Sequence, residues 1–121
     1  MSAVLARAGR PLDRALRYAG GSHTADDIEA AVERGDLQRW DGERSTIITE
    51  IKQTPQQRIL LFFLAEGDMT ELRGMARGIE DWGRSLGCSR AQLIGRKGWE
   101  RSPIARFDGW KLTSIVMEKD L

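Results

Sequence analysis

Few side chains in this sequence are equipped for covalent chemistry. Its one cysteine, Cys88, has no histidine near it in the chain to hold it as a thiolate, so it reads as a small buried apolar residue rather than a nucleophile. The one histidine, His23, follows Gly20-Gly21 among helix-capping residues, which gives it a surface or capping place. With one Cys and one His, an intrachain disulfide, a multi-cysteine zinc or iron–sulfur site and a His-rich metal site are all excluded. The remaining chemistry lies in carboxylates and cations. Glu50 sits in an alternating segment, and Glu66 and Asp68 flank Gly67. Arg96, Lys97, Arg101 and Arg106 gather around Trp99, a pattern that can stack and neutralise a single nucleic-acid strand. Interspersed acids point instead to a solvated or protein-contact face. Trp99 and Trp110 flank the same segment and can anchor a protein interface.

The balance of charge supports that choice. Nineteen Lys and Arg against eighteen Asp and Glu leave a net charge of +1, without the basic surplus that a phosphate-neutralising surface or an anionic membrane contact calls for. At 121 residues, 40% hydrophobic and 31% charged, the chain is expected to form one soluble domain over residues 1–121. No apolar run approaches the ~20 residues of a membrane span. The first residues carry charge too early for a signal peptide, so a cytoplasmic location is expected.

The elements that must position these residues follow from periodicity. Pro11 opens a helix with Leu12, Ala15, Leu16 and Ala19 at helical spacing, stopped by Gly20-Gly21. Ser22 or Thr24 can cap a second helix, with Asp26 and Asp27 in its first turn, an Ala25/Ile28/Ala31/Val32 stripe and Gly35 at its end. Residues 37–40 run into Asp41-Gly42, a hairpin signal. The second arm, 44–52, puts Ile47, Thr49 and Ile51 on one face. Residues 59–64 are apolar on both faces, as in a central covered strand.

Asp68 followed by Glu71 resembles a capping box for a long helix whose face is Leu72, Met75, Ala76, Ile79, Trp82 and Leu86. Gly74 and Gly78 inside it each cost about 1 kcal/mol relative to Ala, which points to close backbone approach. A short strand around Ala91 and Leu93, a helical stretch over 97–107 interrupted at Pro103, and an alternating strand over 111–118 complete the order. The expectation is an α/β (mixed α+β) single domain with a mainly antiparallel central sheet of about five strands flanked by helices.

This order, with Trp82-Gly-Arg-Ser-Leu-Gly-Cys88, resembles the GNAT acyl-CoA N-acyltransferase fold. Tyr18-Ala-Gly-Gly21, Gly35-Asp-Leu-Gln-Arg-Trp40, Ile79-Glu-Asp-Trp82, Gly87-Cys88 and Gly95-Arg-Lys-Gly-Trp99 are similar to a group of small phage-encoded GNAT-like proteins, from about Arg17 onward. Some of that group are linked to virion morphogenesis. The resemblance implies a loop and helix start that would hold the pyrophosphate of acyl-CoA on bare backbone N–H groups. Two registers are open. One is Arg73-Gly-Met-Ala-Arg-Gly78, which leaves a helix too short for the family. The other, counted back from Trp82 and Gly87, is Ala65-Glu-Gly-Asp-Met-Thr70, and it is the favoured one.

In that register the implied cofactor residues are Phe63, Leu64 and Ala65 for pantetheine, with Gly67, Asp68, Met69 and Thr70 for pyrophosphate. Glu66 and Asp68 would oppose that anion. Glu50 is the one meander-strand carboxylate placed for the family's base, and Phe107 stands where its proton-donating Tyr is expected. The reading is therefore a GNAT-like protein with a degenerate CoA loop, a non-catalytic accessory factor acting by protein contact in phage development or virion assembly. A phage structural protein is among the expected partners. The alternative is an acetyl-CoA-dependent N-acetyltransferase acting on an amine.

Overall fold

The second helix shows how local chemistry sets the architecture. Thr24 accepts a hydrogen bond from Asp27 N at 3.2 Å while Asp27 accepts from Thr24 N at 2.8 Å, a reciprocal capping box that fixes where the helix begins. Gly35, left-handed at φ 84°, ends it. The computed structural model describes residues 12–18, 20–95 and 97–121, the side chains of 13, 14 and 18 excepted. Pro11 and Ala19 of the expected first helix, and Arg96 of the basic cluster, lie outside the described residues.

The elements are α1 (Asp13–Tyr18), α2 (Ala25–Arg34), β1 (Gln38–Asp41), β2 (Thr46–Gln53), β3 (Arg58–Glu66), α3 (Met69–Ser85), β4 (Arg90–Leu93), a 3-10 turn (Lys97–Arg101) and α4 (Pro103–Phe107). The result is a mixed α+β fold around one four-stranded sheet, ordered β1-β2-β3-β4. β1, β2 and β3 pair antiparallel, and β3 pairs parallel with β4 across the α3 crossover. The late helical stretch is interrupted at Pro103 as expected: the 3-10 turn ends at Arg101, and Pro103 starts α4 at a position where its missing N–H costs nothing.

Two apolar clusters hold the sheet between layers. On one face Ile48 and Leu64 pack with Leu12, Ala15, Ile28, Ala31 and Leu37 from the segments around α1 and α2. On the other, Ile47, Leu60 and Phe62 meet Leu72, Ala76 and Ile79 of α3, with Trp40, Trp82, Trp99 and Trp110 around the margin. β3 is buried on both faces, which is why it reads as an unbroken apolar run.

Three expectations are corrected. The sheet has four strands among the described residues, because residues 111–121 form no strand and are exposed along their whole length. The hairpin does not turn on Asp41-Gly42 alone: β1 and β2 are joined by residues 42–45, closed by Gly42 N donating to Ser45 O at 2.8 Å. Gly74 and Gly78 face open space, with nothing within 4 Å of an added Cβ. The close approach in α3 is made at Gly83 instead, whose Cβ would lie 3.0 Å from Leu60 Cδ2.

Candidate functional site

The residues singled out around 63–70 converge where β3 ends and α3 begins. β3 carries a bulge: Ile48 pairs with Leu64 but Thr49 pairs with Phe62, so Phe63 is the extra residue. Phe63 and Leu64 therefore both serve the α1/α2 side, with the Phe63 ring edge-on to His23 at 4.9 Å. Ala65 returns to the α3 side. The last β3–β4 pair is Phe62 with Leu93, so among the described residues 63–66 run on without a strand partner on that side. Trp110 packs edge-on against Phe62 at 5.5 Å, at the point where the two strands part.

The turn into α3 is filled by the protein itself. Gly67 has φ 140°, and a Cβ there would come within 2.5 Å of Ser45 Cα. The bare backbone at Gly67 thus admits the β1–β2 loop. Asp68 N donates to Ser45 Oγ at 2.9 Å, and Asp68 Oδ2 accepts from Glu71 N at 2.9 Å. Only half of the expected capping box forms. Glu71 does not reach back to Asp68 N; its carboxylate accepts from Glu43 N at 2.8 Å and Arg44 N at 2.9 Å. The Ser45 hydroxyl and those amides hold the Glu71 carboxyl below its ordinary value of 4.5. A Cβ on Gly42 would meet that carboxylate at 2.6 Å, so the loop is shaped around it.

Glu66 adds to the negative character. It pairs across from Thr46, which pairs with Asp41, so the three share one face across three strands. Asp41 accepts from Thr46 Oγ1 at 2.9 Å and is ion-paired with Arg39 at 3.1 Å, both side chains nearly buried. Among the described residues, Glu66 Oε1 is buried without a hydrogen-bond partner. Three carboxylates, Glu66, Asp68 and Glu71, therefore lie within six residues at this turn, and among the described residues no group of His, Cys, Asp or Glu is arranged to hold a metal ion.

The other expected residues lie elsewhere. Glu50 is half-buried and pairs with Leu61, six residues along β3 from Gly67, about 20 Å at 3.3 Å per residue. By alternation from Ile48 it faces away from α3. Arg73, Gly74 and Gly78 of the second register stand inside α3, not in a loop. Arg73 forms a bidentate pair with Asp108, at 2.8 and 3.0 Å, and its guanidinium lies 5.5 Å from the centre of the Phe107 ring. Phe107 is 69% exposed. A shallow depression of about 420 Å³ lies at the far end of the sheet, lined by Gln53, Gln57, Arg58, Gly87 and Ser89. Sequence reasoning missed Ser45 and Glu71 as partners of the loop. The only signal was the Gly42-Glu43-Arg44 turn composition, which does not say what the turn amides bind.

No family model matches the chain, and no curated protein matches it in sequence. A solved structure does: the tetramutant of the BH1408 protein from Bacillus halodurans is similar at a TM-score of 0.65, with 14% identity over 83% of this chain and 76% of that one. That likeness is one of fold. No helix among the described residues is long and apolar enough to cross a membrane.

Proposed function

We propose that the chain is a GNAT-like domain whose phosphate-binding turn is closed by its own side chains, and that it acts through protein contact rather than acyl transfer. The observation that carries this reading is the Glu71 carboxylate seated on the Glu43 and Arg44 amides beside a helix start already capped by Asp68. A helix N-terminus attracts phosphate through unpaired N–H groups and the helix dipole. Here Asp68 N and Glu71 N are taken, and the carboxylates of Asp68 and Glu71 supply the negative charge that the dipole favours. An incoming pyrophosphate would meet like charge instead.

The place of such a protein in phage development or virion assembly, with a phage structural protein as partner, is supported by the sequence resemblance and by large apolar side chains left in water at Ile94 and Phe107. Acetyl-CoA-dependent acyl transfer is the second reading. One observation favours it: the bulge at Phe63 and the unpaired 63–66 edge of β3 leave backbone groups on which an extended pantetheine arm could lie. Thermal unfolding with acetyl-CoA up to millimolar concentration separates the two. The closed-site reading expects no saturable rise in Tm, and a rise that saturates would establish the second.

A further inference from the structure

Residues 111–118 have a strand pattern without a strand. Leu112, Ser114 and Val116 alternate with Thr113, Ile115 and Met117, placing apolar groups on both faces, as in a strand meant to be covered twice. In the single chain they are covered on neither: Leu112, Ile115, Val116 and Met117 are 67–85% exposed. The path explains why. Trp110 is held against Phe62, and the Glu118 carboxylate comes within 3.8 Å of where a side chain on Gly20 would begin. The segment thus leaves the sheet beside Phe62 and brings Glu118 to the turn after α1, without pairing to β4. Meanwhile β4 is the last strand of the sheet, and among the described residues nothing pairs with its outer edge.

We infer that residues 111–118 pair as a fifth strand on the outer edge of β4 in a second copy of this chain, each copy donating to the other. Donor strand and open edge lie on the same polypeptide, so reciprocal exchange about a two-fold axis satisfies both and leaves no unpaired repeat. The alternation continues that of β4, where Ala91 and Leu93 face the α3 side. The four exposed apolar side chains present on the order of 500 Å², and two exchanged segments with their receiving surfaces reach the roughly 1,600 Å² of a standard stable interface. A second copy also matches in charge, since Lys111 and Lys119 are balanced by Glu118 and Asp120 within the segment and the whole chain carries a net charge of only +1. The pairing stands independently of whether the α3 turn binds a cofactor.

Sedimentation velocity on the full chain tests it. The expected species has twice the 13.6 kDa chain mass, and the double variant Ile115→Asp/Val116→Asp returns to the single-chain mass with its far-UV circular dichroism retained. Two further proteins, Gln92→Cys and Ser114→Cys, each with Cys88→Ala, are mixed and oxidised. A disulfide-linked pair containing one of each is expected. A single-chain mass at every concentration overturns the inference. So does a dimer that survives the Asp substitutions, or a cross-link that forms only within one chain carrying both new cysteines.

Discussion

Replacing Gly74 and Gly78 by Ala in α3 is expected to stabilise the protein. Both glycines sit inside a 17-residue helix, neither has positive φ, and nothing lies within 4 Å of an added Cβ. With no steric cost, each change recovers the helix-propensity difference of about 1 kcal/mol, partly by restricting the unfolded chain. The double variant should gain about 2 kcal/mol, which for a domain of this size raises Tm by roughly 6–12 °C. Gly83→Ala is the internal control. Its Cβ would press on Leu60 Cδ2 at 3.0 Å, so the same propensity gain is offset by displacement of a buried leucine. Calorimetric melts of the three variants are the assay. A double variant that melts at or below the parent temperature would show that these glycines are needed for close approach, and the placement of the 73–78 register inside a solvent-facing helix would fall with it.

Gly67→Ala should behave oppositely. A backbone at φ 140° and a Cβ 2.5 Å from Ser45 Cα cost on the order of 1–3 kcal/mol from strain alone, read as a lower urea midpoint, and an unchanged midpoint would refute the Ser45 contact. Acid should unfold the protein through Glu71, Asp27 and Asp108, whose carboxyls are held below their ordinary values by the Ser45 hydroxyl and the loop amides, by Thr24, and by Arg73 respectively. Their contribution is complete above the unfolded values of 4.5 and 3.8 and is lost as pH falls through the lower folded values, so Tm should drop on acidification. Glu71→Gln should lower Tm at neutral pH and converge with the parent in acid; an equal difference at both extremes contradicts the assignment. Arg73→Ala should speed amide exchange across 102–108 by releasing Asp108, whereas unchanged protection would show that α4 is held by packing alone.

Local signals carried the elements and long-range ones did not. The Thr24–Asp27 box, the Gly35 stop and the two-faced apolar run of β3 were legible because each depends on residues within a few positions. Asp68 was legible as a cap for the same reason. Glu71 was legible only as part of that cap, since its true partners lie 27 and 28 residues earlier and pair through backbone amides that every residue has. The glycines of α3 show the same limit. Composition places three inside the helix, but only packing against Leu60 distinguishes Gly83 from Gly74 and Gly78. For 111–118, alternation gave the faces and was silent on which edge, and which chain, would receive them.

The central claim is that the turn into α3 is already occupied by the side chains of Ser45, Asp68 and Glu71. Titrating coenzyme A into the ¹⁵N-labelled protein and following the amides of 67–71 tests it most directly. The account predicts no saturable shift of these resonances up to millimolar ligand. A saturating shift centred on Met69 and Thr70, with the Glu43 and Arg44 amides moving as Glu71 is displaced, would contradict it.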